Sequence, residues 1–332
     1  MYAKYVSTVT ATRAQVINDL CLLVSGSAVS ALSTGCDKLN TTLLSTVAPG
    51  WTLIDSAAPQ SGCVISAPDI DGLTIKYVSL RSEASTGIEI LAYEGWNAAT
   101  HVGVNVKGPS VNPSASTVGT LNFVGASINT YVLFATPRSF YIHSLTLPAN
   151  AYGIGAFEFT REAEYLKGTT YPCFGVLTWY VLYQSTNYIG GNADYYVPFR
   201  AGIPRMKNLF GAGDITGVSS AITPASMFSR YANLYLSYAG YGTVETRGVC
   251  GAPYNKLVDA TETPYIELRP LWAVYPPYGV FNTAQSQPVL GKFFDLVEIA
   301  PGLGNTLDTF NDGTFTYAII NIGTSSFAFK IA

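Results

Sequence analysis

The stretch that decides the fold is residues 72–104, GLTIKYVSLRSEASTGIEILAYEGWNAATHVGV. Two short apolar runs, residues 73–80 and 88–93, flank a polar break rich in Ser, Thr and Gly at residues 81–87. Short runs that are rich in β-branched and aromatic residues and bounded by turn formers predict strands, here an antiparallel pair. The second run is apolar on both faces, which indicates a strand that is covered on both sides. We therefore expect the first half of the chain to build a β-sandwich around this pair.

Further short strand candidates, separated by Gly, Pro, Asn and Ser, follow along the rest of the chain. Many short strands with turn residues between them predict sandwiches or barrels. The segment PANAYGIG, residues 148–155, follows a complete strand and is the predicted domain boundary. A single domain with this segment as an internal loop is the alternative. The predicted fold is mainly β, with two β-sandwich or jelly-roll-like domains, residues 1–150 and 151–332, and a short N-terminal helical segment.

The best helix candidate is residues 12–24. Thr12 and Gln15 have the spacing of a capping box, and the apolar residues Ala14, Ile17, Leu20 and Val24 recur at helical intervals and are predicted to form one buried face. A helix of about 13 residues is marginal alone, so its apolar face must be buried, either on the first sandwich or on a neighbouring subunit. We expect an assembly role for residues 1–24, because their strand-like beginning could extend the sheet of a partner. A second short helix is predicted at residues 36–44.

The composition is unusually poor in charge. Only 12% of the 332 residues are charged and 48% are hydrophobic, with a mean hydropathy of +0.24. An average soluble domain has roughly 25% charged residues. We therefore expect much of the surface to become buried against other copies or other proteins. A large, well-filled β core is the alternative, and the 23 Tyr residues suit both.

Charge, hydropathy and cysteine usage exclude several classes of protein. The formal net charge is −3 and no Lys/Arg block occurs, so nucleic-acid binding through a basic face is not expected. The apolar runs are too short to span a bilayer as helices, and the N-terminus lacks the apolar core of a signal peptide. The five cysteines are odd in number and show no CxxC spacing. Buried free thiols are therefore expected, and disulfides and a zinc site are not.

No motif of a known catalytic class occurs in the sequence. His101 and His143, the only two histidines, have no partner at metal or triad spacing. Glu158, in the acidic cluster FEFTREAEY, could belong to a glycosidase pair, but an ion pair with Arg161 or Lys167 is favoured. Asp69 and Asp71 could bind calcium, although a turn explains them equally well. We expect no catalytic residue, cofactor or metal.

Aromatic residues beside turn formers define a possible ligand or interface site. Such rings could form a platform for a sugar, whereas Trp179 lies between apolar neighbours in a strand and is expected in the core. The residues predicted for the ligand or interface site are Trp96, His101, Trp272, Tyr275 and Tyr278.

Three stretches make the sequence resemble a family of virion structural proteins of tailed bacteriophages. They are KYVSLR with IEILAYEGWNAATHVGVN in residues 76–105, AYGIGAFEFTREAEY with YPCFGVLTW in residues 151–179, and GKFFDLVEIAPGLGNTLDT in residues 291–309. The resemblance implies a particle component of the tail or baseplate that is built from β domains. It implies no catalytic residue.

We therefore expect a non-enzymatic structural component of a bacteriophage virion, made in the host cytoplasm. It would assemble through large, low-charge, Tyr-rich interfaces with copies of itself and with other virion proteins. The open alternatives are a receptor-binding tail module that takes a host-surface glycan, a capsid decoration protein, and a glycosidase that uses Glu158.

Overall fold

A computed structural model describes residues 2–26, 36–37, 49–69, 72, 75–82, 87–93, 95–104, 120–146, 153–160, 174–179, 199–202, 226–229, 268–274, 289–299, 303–322 and 325–332. Within these ranges the chain is mainly β, with four antiparallel sheets and one α-helix. The prediction of a mainly β fold with a short N-terminal helix is confirmed.

The helix, α1, spans Arg13–Val24. The strands up to residue 146 are β1 (Tyr2–Ser7), β2 (Cys36–Asp37), β3 (Thr52–Ala58), β4 (Gly62–Pro68), β5 (Ile75–Ser82), β6 (Gly87–Tyr93), β7 (Gly95–Asn97), β8 (Val102–Val104), β9 (Thr120–Asn122), β10 (Asn129–Ala135) and β11 (Phe140–Ser144). The later strands are β12 (Gly153–Glu158), β13 (Phe174–Trp179), β14 (Phe199–Gly202), β15 (Ser226–Ser229), β16 (Arg269–Val274), β17 (Val289–Ile299), β18 (Thr309–Asn311), β19 (Thr316–Ile322) and β20 (Ser325–Lys330).

The strand pair predicted from residues 72–104 is present as β5 and β6. They pair antiparallel, with Leu80 opposite Ile90 and Tyr77 opposite Tyr93. All residues of β6 are buried, as its apolar character on both faces indicates. The two strands belong to a five-stranded sheet of order β3-β4-β5-β6-β9.

A seven-stranded sheet of order β14-β13-β12-β11-β10-β1-β2 shares a core with this five-stranded sheet. Alternate residues of its middle strands, including Leu133, Ile142 and Ile154, join Ile90 of β6 and Leu20 of α1 in one apolar cluster. Successive residues of a strand point to opposite faces of the sheet, so the residues between those of this cluster point to the other face.

Aromatic residues of a six-stranded sheet, order β15-β16-β17-β20-β19-β18, cover that other side. The ring of Phe329 lies 5.4 Å from the ring of Phe134 and 5.8 Å from that of Phe157. Phe157 also meets Phe293 edge-on at 6.2 Å. Because both of their faces are covered, β10, β11 and β12 are almost entirely buried, which explains why their apolar and polar residues hardly alternate.

Helix α1 begins with the predicted capping box. The Thr12 hydroxyl accepts a hydrogen bond from the Gln15 N–H at 3.2 Å, and the Gln15 side chain accepts one from the Thr12 N–H at 2.8 Å. The helix packs against β3, β4 and β5 on one side and β10 on another. Of the predicted apolar face, Ile17, Leu20 and Val24 are buried, but Ala14 is exposed, because it lies in the first turn on the solvent side of the helix. The buried residues of α1 are Val16, Ile17, Asp19, Leu20, Cys21, Leu23 and Val24.

The first 24 residues belong to the core, and the helix covers the sheets of its own chain, which was one of the two expected places for its apolar face. Strand β1 pairs along its whole length with β10, from Tyr2 opposite Phe134 to Ser7 opposite Asn129, and β2 pairs with its other edge at the Ser7 end. One edge of β1 is therefore used within its own sheet, whereas pairing on the other edge is shown for Val6 and Ser7 only. The short helix predicted at residues 36–44 is wrong at its start, where β2 forms; residues 38–44 lie outside the described residues.

The strands on either side of the predicted domain boundary at residues 148–155 are neighbours in the seven-stranded sheet; residues 148–152 lie outside the described residues. Strand β11 pairs with β12 across it, with Phe140 opposite Ala156. A division into residues 1–150 and 151–332 would separate hydrogen-bonded neighbours, whereas few contacts cross a real domain boundary. Gly153 and Gly155, two of the residues that suggested a linker, belong to β12.

We expect Gly153→Ala to destabilise the protein by about 1–3 kcal/mol, because the added methyl group would overlap the hydroxyl of Tyr141 in a fully packed layer. Gly95→Ala is the matched control, since an alanine Cβ at position 95 would meet only Val104 at an ordinary 3.6 Å. Urea denaturation measures both. Equal losses of stability in the two variants would show that the space around Gly153 is not limiting.

Candidate functional site

The candidate site is the surface hairpin of β7 and β8, which follows β6 directly. Trp96 pairs with Gly103, and Asn97 pairs with Val102. In the turn between the strands, the Asn97 side chain accepts hydrogen bonds from the N–H groups of Ala99 and Thr100 at 3.0 and 3.2 Å. His101 closes the turn with a left-handed φ of 54°. This local hydrogen bonding is typical of Asn in turns.

Asp55 of β3 joins the hairpin to the five-stranded sheet. Its Oδ2 atom accepts a hydrogen bond from Nε1 of Trp96 at 2.9 Å and lies 2.8 Å from Nδ1 of His101. Its Oδ1 atom accepts a hydrogen bond from the N–H of Ala57 at 2.9 Å. The Asp55 side chain is 3% exposed, whereas that of His101 is 42% exposed. The carboxylate thus lies under the hairpin and the imidazole lies at the surface.

The hydrogen bonds to Asp55 favour its ionised form. Burial alone would raise its pKa, but the bonds from His101, Ala57 and Trp96 outweigh it, and the pKa is lowered. A carboxyl group with a lowered pKa stabilises the fold above its unfolded pKa, about 3.9. This contribution is lost as the pH falls from there through the lower folded value. At neutral pH Asp55 is therefore ionised, and its hydrogen bonds to the hairpin make their full contribution to stability.

Tyr93, the last residue of β6, supports the hairpin from below. Its ring meets the ring of Trp96 edge-on at a centroid distance of 5.0 Å, and its hydroxyl shares a hydrogen bond with Ser79 at 3.1 Å. Burial raises the pKa of Tyr93. Any side chain at position 103 would overlap the Tyr93 ring, so Gly103 lets β8 approach it closely.

The outer surface of the hairpin combines apolar and polar groups. Val102 and Val104 are 57% and 52% exposed, and Ile75 of β5 is also exposed. With Nδ1 of His101 held by Asp55, Nε2 is the ring nitrogen that remains for another partner. Exposed valines beside a fixed imidazole and a tryptophan suit an interface or a sugar ligand. Within the described part of the chain, no group of three or more His, Cys, Asp or Glu residues could hold a metal ion.

The structure brings together two of the five residues predicted for the site, Trp96 and His101. Trp272 lies on β16, where its backbone pairs with Phe228 on β15 and with Lys292 on β17. Tyr275 and Tyr278 lie outside the described residues.

Asp55 and Tyr93 were missed by the sequence analysis. The available signal for Asp55 was its position as the one charged residue of the strand sequence TLIDSAA. A charged residue within an otherwise uncharged strand needs partners if it is buried. The sequence carried no signal for which partners these would be.

A second polar cluster is fully buried between the two sheets that share the core. Nζ of Lys76 on β5 lies 2.5 Å from Oε2 of Glu158 on β12, and neither side chain is exposed. Lys76 also donates a hydrogen bond to the carbonyl of Arg138 at 3.1 Å and lies 5.4 Å from the centre of the Trp51 ring. Burial raises the pKa of Glu158 to about 7, although Lys76 opposes the rise. The partner that the structure shows for Glu158 is Lys76, 82 residues earlier in the chain, whereas the predicted partners Arg161 and Lys167 lie outside the described residues.

His143 and Asp69 have structural surroundings. His143 is buried and shares a hydrogen bond with the Tyr141 hydroxyl at 3.0 Å, and burial lowers its pKa to about 4. The carbonyl of Asp69 accepts a hydrogen bond from the N–H of Gly72 at 2.8 Å, which closes a turn as expected. Asp71 lies outside the described residues.

We expect Asp55→Ala to release the hairpin from the sheet, because Trp96, His101 and Ala57 would lose their shared acceptor. Amide hydrogen exchange in residues 95–104 should become at least about tenfold faster, equivalent to about 1.4 kcal/mol or more of local stability. Asp312→Ala is the control, because Asp312 accepts two backbone hydrogen bonds in an exposed turn of another sheet. Unchanged exchange of residues 95–104 in Asp55→Ala would contradict the anchoring role.

No protein-family model matches the chain, and no curated protein matches it in sequence. Among the described residues, none of the helical structure is long and apolar enough to cross a membrane. Function must therefore be inferred from the residues and their geometry.

Proposed function

We propose that the chain is a non-enzymatic structural component of a bacteriophage virion, located in the tail or baseplate. In this proposal it assembles with copies of itself and with other virion proteins through low-charge, Tyr-rich surfaces. It needs no cofactor for this role. A capsid decoration protein would use the same kind of contact at another position in the particle.

The observation that carries the proposal is the charge content of 12% in a chain with 48% hydrophobic residues. A free monomer with so few charges has little to keep it soluble, whereas a subunit buries part of its surface on assembly. The hairpin of β7 and β8 supports this view, since it presents Val102 and Val104 on an anchored support. Anchoring lowers the entropy that a contact surface loses when it binds.

The proposal includes a sandwich-like, jelly-roll type of organisation for the sheets. Short strands in antiparallel sheets that face each other across an apolar core are typical of such folds. Virion subunits of this kind present loops and short hairpins at their surfaces, where contacts with neighbours form.

Self-association tests the proposal. We expect the wild-type protein to form oligomers in a concentration series followed by sedimentation velocity near physiological salt. The double variant Val102→Asp/Val104→Asp should dissociate, because two desolvated charges oppose contact at the hairpin. Ile128→Asp, which alters an exposed apolar residue elsewhere (59% exposed), is the control and should associate like the wild type.

A wild-type protein that stays monomeric at high concentration would count against assembly through its own surface. Association that is unaffected by the charges at Val102 and Val104 would remove the hairpin from the interface. Imaging of a labelled chain in phage particles would test its location directly.

A second candidate function is glycan binding by a receptor-binding tail module. Trp96 and His101 favour it, because both are partly exposed and both are held by the Asp55 carboxylate. A glycan array would reveal a ligand, and Trp96→Ala should abolish its binding. Binding that persists in Trp96→Ala would place the glycan elsewhere.

A further inference from the structure

The buried pair of Lys76 and Glu158 places an amine against a carboxyl group inside the apolar core. Nζ of Lys76 lies 2.5 Å from Oε2 of Glu158, and both side chains are 0% exposed. Lys76 belongs to β5 of the five-stranded sheet and Glu158 to β12 of the seven-stranded sheet. An amine and a carboxyl group form an amide with the loss of water alone, so no other reactant has to enter the buried site.

The surroundings of Lys76 fix its amine beside the carboxyl carbon of Glu158. The amine donates a hydrogen bond to the carbonyl of Arg138 at 3.1 Å and lies 5.4 Å from the centre of the Trp51 ring. Because Cδ of Glu158 is bonded directly to Oε2, Nζ is no more than about 4 Å from it, close to the roughly 3–3.5 Å of a near-attack geometry. Groups held in this way react as if they were present at very high concentration.

The ion pair with Lys76 does not satisfy the second oxygen of Glu158. Oε1 is buried and makes no hydrogen bond within the described part of the chain. The guanidinium of Arg138 approaches it to 3.8 Å, from a side chain that is 42% exposed. A cation in this position stabilises the negative charge that develops on Oε1 when the carboxyl carbon is attacked. The exposed part of the same side chain marks where a released water can reach the solvent.

The apolar surroundings favour the uncharged forms that the reaction needs. Burial raises the pKa of Glu158 to about 7, and the charge of Asp69 adds to the rise, although Lys76 and Arg138 oppose it. Where charges are poorly solvated, transfer of the ammonium proton to the carboxylate costs less than in water. The 2.5 Å contact is the path for that proton.

We propose that Lys76 and Glu158 close to an intramolecular amide, a covalent cross-link between β5 and β12. One ammonium proton of Lys76 first passes to Oε2 of Glu158. The Nζ lone pair then attacks Cδ, the C–N bond forms, and an oxyanion develops on Oε1 beside Arg138. The carbonyl forms again at Oε1, the Cδ–Oε2 bond breaks, and the leaving hydroxyl takes a proton from Nζ and departs as water. Nothing is oxidised or reduced, and one water is lost in all.

The ion pair is the reactant of this step, so the unlinked and the cross-linked chain differ in mass by one water. The amide would tie together two sheets through residues that are 82 positions apart in the chain. A cross-link over such a separation restricts the unfolded chain, and we expect the Tm to rise by at least about 5 °C. This inference does not depend on the proposed virion role.

Intact mass spectrometry of the full chain tests the proposal. Wild-type protein is kept folded at neutral pH and physiological temperature, and samples are denatured and weighed over several days. A growing fraction should be lighter by one water, whereas chain kept in urea should retain its full mass, because the two residues meet only in the folded protein. After digestion of the lighter fraction, one branched peptide should join Lys76 to Glu158.

Lys76→Arg is the matched variant, because it keeps the positive charge but carries a guanidinium that stays protonated and is a poor nucleophile. This variant should retain its full mass under the same conditions. The proposal is overturned if the folded wild-type chain keeps its full mass, if the loss of water persists in Lys76→Arg, or if the branched peptide joins other residues. If Lys76→Arg does not fold, the branched peptide of the wild-type chain decides the question alone.

Discussion

A chain that lacks residues 1–24 is expected not to fold. The deletion removes β1, which is paired with β10 from Tyr2 to Ser7, and it removes α1 from the core between the sheets. The apolar faces of the five- and seven-stranded sheets would be opened to water, and β10 would gain a free edge of the kind that aggregates. Circular dichroism should show no cooperative thermal transition for the shortened chain. A folded β protein with normal stability would instead support a docking role for this segment.

A point variant tests the same claim without removing a strand. Leu20→Ala should cost about 2–5 kcal/mol in the free energy of unfolding, because Leu20 is completely buried in the main core cluster. Ala14→Ser is the control on the exposed side of α1, and it should change stability by no more than about 0.5 kcal/mol. If the two variants lose equally little stability, the helix does not contribute to the core.

Those parts of the fold that depend on neighbours in sequence could be predicted. The pair β5 and β6 was visible because two apolar runs lie close together with turn residues between them. The capping box of α1 was visible because Thr12 and Gln15 are three residues apart. In both cases the partners are close enough in the chain for spacing alone to identify them.

Pairings between distant residues could not be predicted in this way. Strand β1 looked like a free edge because nothing local shows that Ser7 lies opposite Asn129, 122 residues later. The boundary predicted at residues 148–155 rested on Gly and Pro, which occur both in linkers and between paired strands such as β11 and β12. Residues beside turns were good candidates for the surface, but their anchor, Asp55, lies 46 residues before His101.

The buried pair of Lys76 and Glu158 gives the other large effect. It joins β5 of one sheet to β12 of the other, and Arg138 approaches the second carboxylate oxygen at 3.8 Å. Loss of one partner leaves the other charge buried without compensation, which costs several kcal/mol. Replacement of both by apolar side chains of similar size removes the need for compensation altogether. A single substitution in the pair should therefore lower the free energy of unfolding greatly, whereas an apolar double substitution should change it little.

We expect Glu158→Leu to lose about 3–5 kcal/mol at pH 8, and Lys76→Met/Glu158→Leu to return to within about 1 kcal/mol of the wild type. Glu89→Leu is the control, because its partner Arg81 is 27% exposed and can reach water, so the loss should be about 1 kcal/mol.

The pH dependence of the free energy of unfolding tests the same pair. The folded pKa of Glu158, about 7, lies above the ordinary value of 4.5, so its contribution to stability is complete below 4.5 and is lost as the pH rises towards 7. Urea denaturation at pH 5 and pH 8 should accordingly show the double variant gaining on the wild type at the higher pH. A double variant as unstable as Glu158→Leu at both pH values would mean that the shape of the two side chains, and not their charge, holds the sheets together.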